Sequence, residues 1–103
     1  MSDRELLEAA AKAAGIEFGW IHDTPRIRAE MGWTPWNPLT DDGDALRMAV
    51  KLGLAVSVEY QVGSTSVLWG PPTGHVREDH GSDPYAATRR AIVRAAAEIG
   101  KSK

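Results

Sequence analysis

Three groups of residues in this chain are of types that could do chemistry. The first is the segment Trp33-Thr34-Pro35-Trp36, followed closely by Asp41, Asp42 and Asp44. Indole rings in a proline-rich stretch can stack a nucleobase or anchor a protein partner, and they can equally plug a core. The second group is Arg89, Arg90 and Arg94, with Arg26 and Arg28 able to join it. A guanidinium fork matches a phosphate or carboxylate, whereas the plainer reading of such arginines is a solvated helix face. The third group is His22, His75 and His80 with neighbouring carboxylates.

None of these groups has the spacing of a known reaction centre. "TDDGD" (40–44) lacks the alternating acids, later glycine and terminal glutamate of a calcium loop. Its aspartates suit a helix N-terminus, where their charge meets the positive end of the dipole. His75 and His80 are five apart, not four as in the helical zinc motif, and on a strand they would face opposite sides. His22-Asp23 could pair as a base and its orienting carboxylate, although sequence neighbours seldom reach that geometry. The chain has no G-x-S-x-G, no phosphate loop and no G-x-G-x-x-G. No catalytic residue, metal ligand or cofactor is therefore assigned. Trp33, Trp36, Arg89, Arg90 and Arg94 remain as candidate residues for binding a ligand or partner.

The bulk composition narrows the classes. One domain fits in 103 residues, and 43% hydrophobic with 25% charged residues is an ordinary globular balance. A formal net charge of −2 gives no reason to expect duplex DNA as a partner. The absence of cysteine removes disulfides and thiolate metal sites and suits a reducing cytosol. "MSDRELLEAA" has no apolar core of the kind a signal peptide needs, and no run approaches the roughly 20 apolar residues that span a bilayer. The expectation is a cytoplasmic protein without a membrane partner.

The elements that must position these residues can be read from local signals. Ser2 with Glu5 forms a capping-box pattern, which predicts a helix over 3–14 that ends at Gly15. Residues 16–40, with Pro25, Pro35 and Pro38, read as a long loop holding a short helical turn near 25–31. Thr40 or Asp42 can cap a second helix, whose apolar positions Ala45, Met48, Ala49 and Leu52 recur at helical spacing up to Gly53. Leu46 and Val50 widen that face.

From Leu54 the period changes to two. Val56, Val58, Tyr60 and Val62 share one side of a half-buried strand, "GST" turns, and "SVLWG" returns. "GHVRED" reads as a short edge strand whose charges discourage sheet-to-sheet pairing. Asp83 as N-cap and Pro84 at the first position open a third helix over 84–99. Gly100 is its expected stop, with Lys101 and Lys103 near the negative end of the dipole. Ile92, Ala95, Ala96 and Ile99 offer a flat face for close packing. The expected fold class is α+β: a small antiparallel sheet of two to three strands packed with three helices.

Two segments, "WNPLTDDGDALRMAVKLGL" (36–54) and "DPYAATRRAIVRAAAEIGK" (83–101), resemble the two ends of the phage ABA-sandwich domain family of small bacteriophage and prophage proteins. The likeness covers 36–101, which makes 1–35 a variable N-terminal extension within a single domain. It implies an α/β/α layered build and an accessory protein in the host cytosol, and it carries over no catalytic residues. Covering the second face of the 54–62 strand would need the N-terminal helix or a partner chain, so a homodimer or higher oligomer is expected.

Combined, these readings predict a non-enzymatic binding protein, acting by occupying a host or defence protein or by sequestering a small nucleotide-type signal. The first mode predicts an exposed apolar patch. The second predicts Trp33 or Trp36 within stacking distance of Arg89, Arg90 or Arg94 around a pocket. A small hydrolytic or metal-dependent enzyme would need histidines and carboxylates to converge. A virion assembly protein would form large symmetric oligomers.

Overall fold

Local capping signals account for where the three helices begin. In the computed structural model, which describes residues 1–102, α1 spans Asp3–Ala14, α2 Asp42–Leu52 and α3 Pro84–Lys101. The Ser2 hydroxyl accepts the Glu5 N–H and the Glu5 carboxylate accepts the Ser2 N–H, a complete capping box. The cap of α2 is Asp41, not Thr40 or Asp42, because its carboxylate accepts the Asp44 N–H at 2.8 Å. Asp42 and Asp44 then fall in the first turn, as the charge–dipole argument requires. One Asp83 oxygen accepts the N–H groups of Tyr85 and Ala86 at the start of α3.

Gly100 is not the stop of α3. The helix runs through it to Lys101, and a Cβ at Gly100 would overlap the Ala9 carbonyl. The glycine is there because α1 and α3 pack at close range, through small buried residues such as Ala10, Ala96 and Ala97. Lys103, expected near the dipole, lies outside the described residues.

The stretch 16–40 is not a loop with a helical turn. It forms a three-stranded antiparallel meander of β1 (Phe18–Ile21), β2 (Thr24–Ala29) and β3 (Gly32–Pro35). Ile21 pairs with Thr24 across the two-residue turn His22-Asp23, both at positive φ, the geometry that matches strand twist. Ala29 pairs with Gly32 across Glu30-Met31. The prolines are tolerated because Pro25 is the second residue of β2 and Pro35 the last of an edge strand. The extended bias that they impose on Thr24 and Thr34 agrees with a strand.

The second sheet runs β4 (Ala55–Glu59), β5 (Ser64–Trp69) and β6 (Gly74–Asp79), in the order β4-β5-β6. The turn between β4 and β5 is Tyr60–Gly63, so Tyr60 and Val62 lie beyond the strand expected to hold them, and Ser64 already belongs to β5. Among the described residues the fold is a small α+β assembly of three helices and two three-stranded antiparallel sheets. No helix among the described residues is long and apolar enough to cross a membrane.

The core lies where α3 crosses the second sheet and meets α1 and α2. Directly paired residues share a face, so Val56, Val67 and Val76 stand in one row and Val58, Thr65 and Glu78 in the next. Val67 and Val76 are buried under α3, which packs on β5 and β6. β4 overhangs this contact, and all five of its residues are exposed. The half-buried strand expected from the alternation is thus an uncovered one.

Candidate docking groove

The overhang creates an apolar concave feature. Val56 and Val58 of β4, with Tyr60 beyond it, form one wall of an open groove. Ala45, Leu46 and Ala49 of α2 form the opposite wall, and Tyr85, Thr88 and Ile92 of α3 line the rest. The space measures about 420 Å³. Each wall follows from a local rule: period two places Val56 and Val58 together, and helical spacing places Ala45 and Ala49 together. Leu46 sits beside that stripe and is 63% exposed.

Asp42, Thr88 and Arg89 of the groove have partners of their own. Arg89 donates from Nε to the Leu39 carbonyl at 2.9 Å and from a terminal nitrogen to Asp42 at 2.7 Å. It thereby ties the segment before α2 to α3. The Thr88 hydroxyl lies 2.8 Å from that of Thr65, which in turn lies 2.8 Å from Nε2 of the buried His80. This chain joins β5, the segment after β6 and α3. Its chemistry is that of a satisfied buried polar network.

The other candidate residues are dispersed. Trp36 is 5% exposed and belongs to the core, edge-on to Phe18 at 5.6 Å between ring centroids. That decides between the two readings of Trp36 in favour of packing. Trp33, on β3, is 38% exposed and stands opposite Arg28 of β2, whose guanidinium carbon lies 5.8 Å from the ring centroid. Arg90 pairs with Asp3 at 3.1 Å, while Arg94 binds the Arg77 carbonyl and the Glu78 carboxylate. Both line a depression with Glu98 and Lys101, and Trp36 lines another with Arg47 and Met48. Neither depression brings Trp33 or Trp36 together with Arg89, Arg90 or Arg94. The cation that meets Trp33 is Arg28, a cross-strand neighbour.

The aspartates of the α2 cap act as architecture. Asp44 accepts the Asn37 N–H at 3.0 Å and an Arg47 nitrogen at 2.8 Å, and Asp41 caps the helix. Among the described residues no cluster of three or more histidines and acids could hold a metal ion. His22 lies in the β1–β2 turn, His75 is exposed on β6 and His80 is buried after it. None of the three lines the groove. Hydrogen bonds from Ser2, the backbone one first, hold the Glu5 carboxyl below the usual value.

Sequence reasoning missed the groove although it named most of its walls. The alternation of Val56, Val58 and Tyr60 marks an apolar face. What covers such a face depends on where α3 crosses the sheet, and no local signal carries that. The chain matches no family model, no curated protein and no solved structure.

Proposed function

We propose that this protein is a non-enzymatic binding protein of phage or prophage type, which acts in the host cytosol by occupying a protein partner, a host or defence factor. One observation carries the reading: the groove is open and apolar, and Asp42, Thr88 and Arg89 beside it are bound in ion pairs or hydrogen bonds. Such a surface gains free energy by excluding water against another apolar surface and has no acid or base held ready for a reaction. The likeness of 36–54 and 83–101 to the phage family supports the biological setting.

A second exposed feature fits the same purpose. Met31 is fully exposed at the tip of the β2–β3 hairpin, close in sequence to Trp33 and Arg28. Methionine, tryptophan and arginine are the residue types that anchor protein interfaces. The sequestering alternative asks instead for an enclosed aromatic–arginine cage around a nucleotide.

The test is native mass spectrometry of the protein purified from host-cell extract, beside its Trp33→Ala and Val58→Lys variants. A discrete protein other than a second copy of this chain, retained by the parent and lost from a folded variant, supports the reading. A retained nucleotide-sized mass with no protein would replace it with the sequestering mode.

A further inference from the structure

We infer that the groove is filled by a second copy of this chain, through antiparallel pairing of β4 with β4 of the copy. The inference rests on reading the groove as a protein-binding surface and names a second copy as its occupant, so that the dimer presents Met31, Trp33 and Arg28 of the β2–β3 hairpin to the host factor. Strand β4 begins the order β4-β5-β6, so its outer side has no strand neighbour among the described residues. The two edges of this sheet differ in chemistry. β6 carries His75, Arg77, Glu78 and Asp79, the kind of charge that blocks edge pairing, whereas β4 reads Ala-Val-Ser-Val-Glu, with no proline or lysine and one charge at its end.

That short sequence is its own complement. A two-fold axis at Ser57 places Val56 opposite Val58 of the copy, Val58 opposite Val56 of the copy, and Ala55 opposite Glu59 of the copy. No like charges meet. Side chains opposite one another share a face, so the four valines join on the side that holds the groove. There they face Leu46, which the isolated chain leaves in water.

The exposed area is of the right size. Leu46, Val56, Val58, Tyr60 and Tyr85 line the groove, are 37% to 81% exposed and together offer roughly 600 Å², against the ~800 Å² each partner gives to a standard interface. A patch of that extent is at the upper end of the largest that a typical monomer carries, about 300–600 Å². Pairing makes one six-stranded sheet and shields the unprotected edge.

Sedimentation of the full 103-residue chain over a range of concentrations tests this. The expected species has twice the 11.2 kDa chain mass. Val58→Lys should give a monomer with an unchanged circular dichroism spectrum, because this side chain is already 54% exposed. Val56→Glu should do the same, and the double variant Val56→Glu/Val58→Lys should recover the dimer, since each lysine then faces a glutamate of the copy. A monomeric parent at high concentration, or a dimer indifferent to Val58→Lys, overturns the inference. A double variant that stays monomeric overturns the Ser57-centred pairing. If the parent is monomeric yet a retained host protein is still lost with Val58→Lys, the functional reading survives and only the occupant is wrong.

Discussion

The two sheets have the same number of strands and the same antiparallel order, yet they are held in place by different means. The β4–β6 sheet lays a face on α3 and buries Thr65, Val67 and Val76 there. The β1–β3 sheet buries none of its own strand residues. Phe18, Trp20 and Ile27 lean on the core, and Trp36, the first residue beyond β3, is the one that enters it. Arg4 of α1 adds a guanidinium 3.9 Å above the Trp20 ring. One sheet is stabilised along a surface and the other at a point. The point-held sheet is consequently free to present Met31, Trp33 and Arg28 away from the core. The surface-held sheet has its functional feature where the coverage stops, at β4.

This contrast can be broken most forcefully at Trp36. Trp36→Ala should cost about 3–5 kcal/mol, a large part of the stability of a domain this size. In hydrogen exchange, amides of β1–β3 should lose protection before those of β5 and β6. Equal loss in both sheets would show that the first sheet is not anchored chiefly at this ring. Val67→Ala removes two buried methyl groups and should cost about 2 kcal/mol by denaturant titration, felt across the second sheet and α3.

Smaller effects sharpen the picture. Ser2→Ala should cost about 1 kcal/mol by removing a cap that neither sheet touches. The same cap carries a pH signature. Glu5 has a depressed folded pKa, so its contribution is present above its ordinary value of 4.5 and fades as pH falls through the lower folded value. In a thermal series from neutral to acid pH, Ser2→Ala should therefore lose part of its difference from the parent at the acid end. Smallest of all, Trp33→Ala should change stability by no more than about 0.5 kcal/mol, although it lies three residues from Trp36. A drop as large as that of Trp36→Ala would mean that the hairpin tip supports the fold instead of serving recognition.

What could be read from the chain in advance divides by the range of the forces. Ser2, Gly15, Asp83 and Pro84 act on atoms within one helical turn, so these helix ends were legible. The β1–β3 meander was not, because Pro25 and Pro35 look like breakers until it is known that each sits at a strand end. Trp33 and Trp36 are the same residue type in the same motif. Nothing local distinguishes the one that packs on Phe18 from the one that meets Arg28.

The amino-acid order by itself determined the three helices, a period-two strand, a turn and a return strand after α2, and the α+β class, since caps and hydrophobic periodicity are properties of near neighbours. Tertiary structure decided the rest. It made Gly100 a close-packing residue against Ala9, drew Arg89, Arg90 and Arg94 into separate ties, and left β4 beyond the reach of α3. Each of these depends on groups far apart in the chain meeting in space. The groove exists because a helix covers only the strands it crosses.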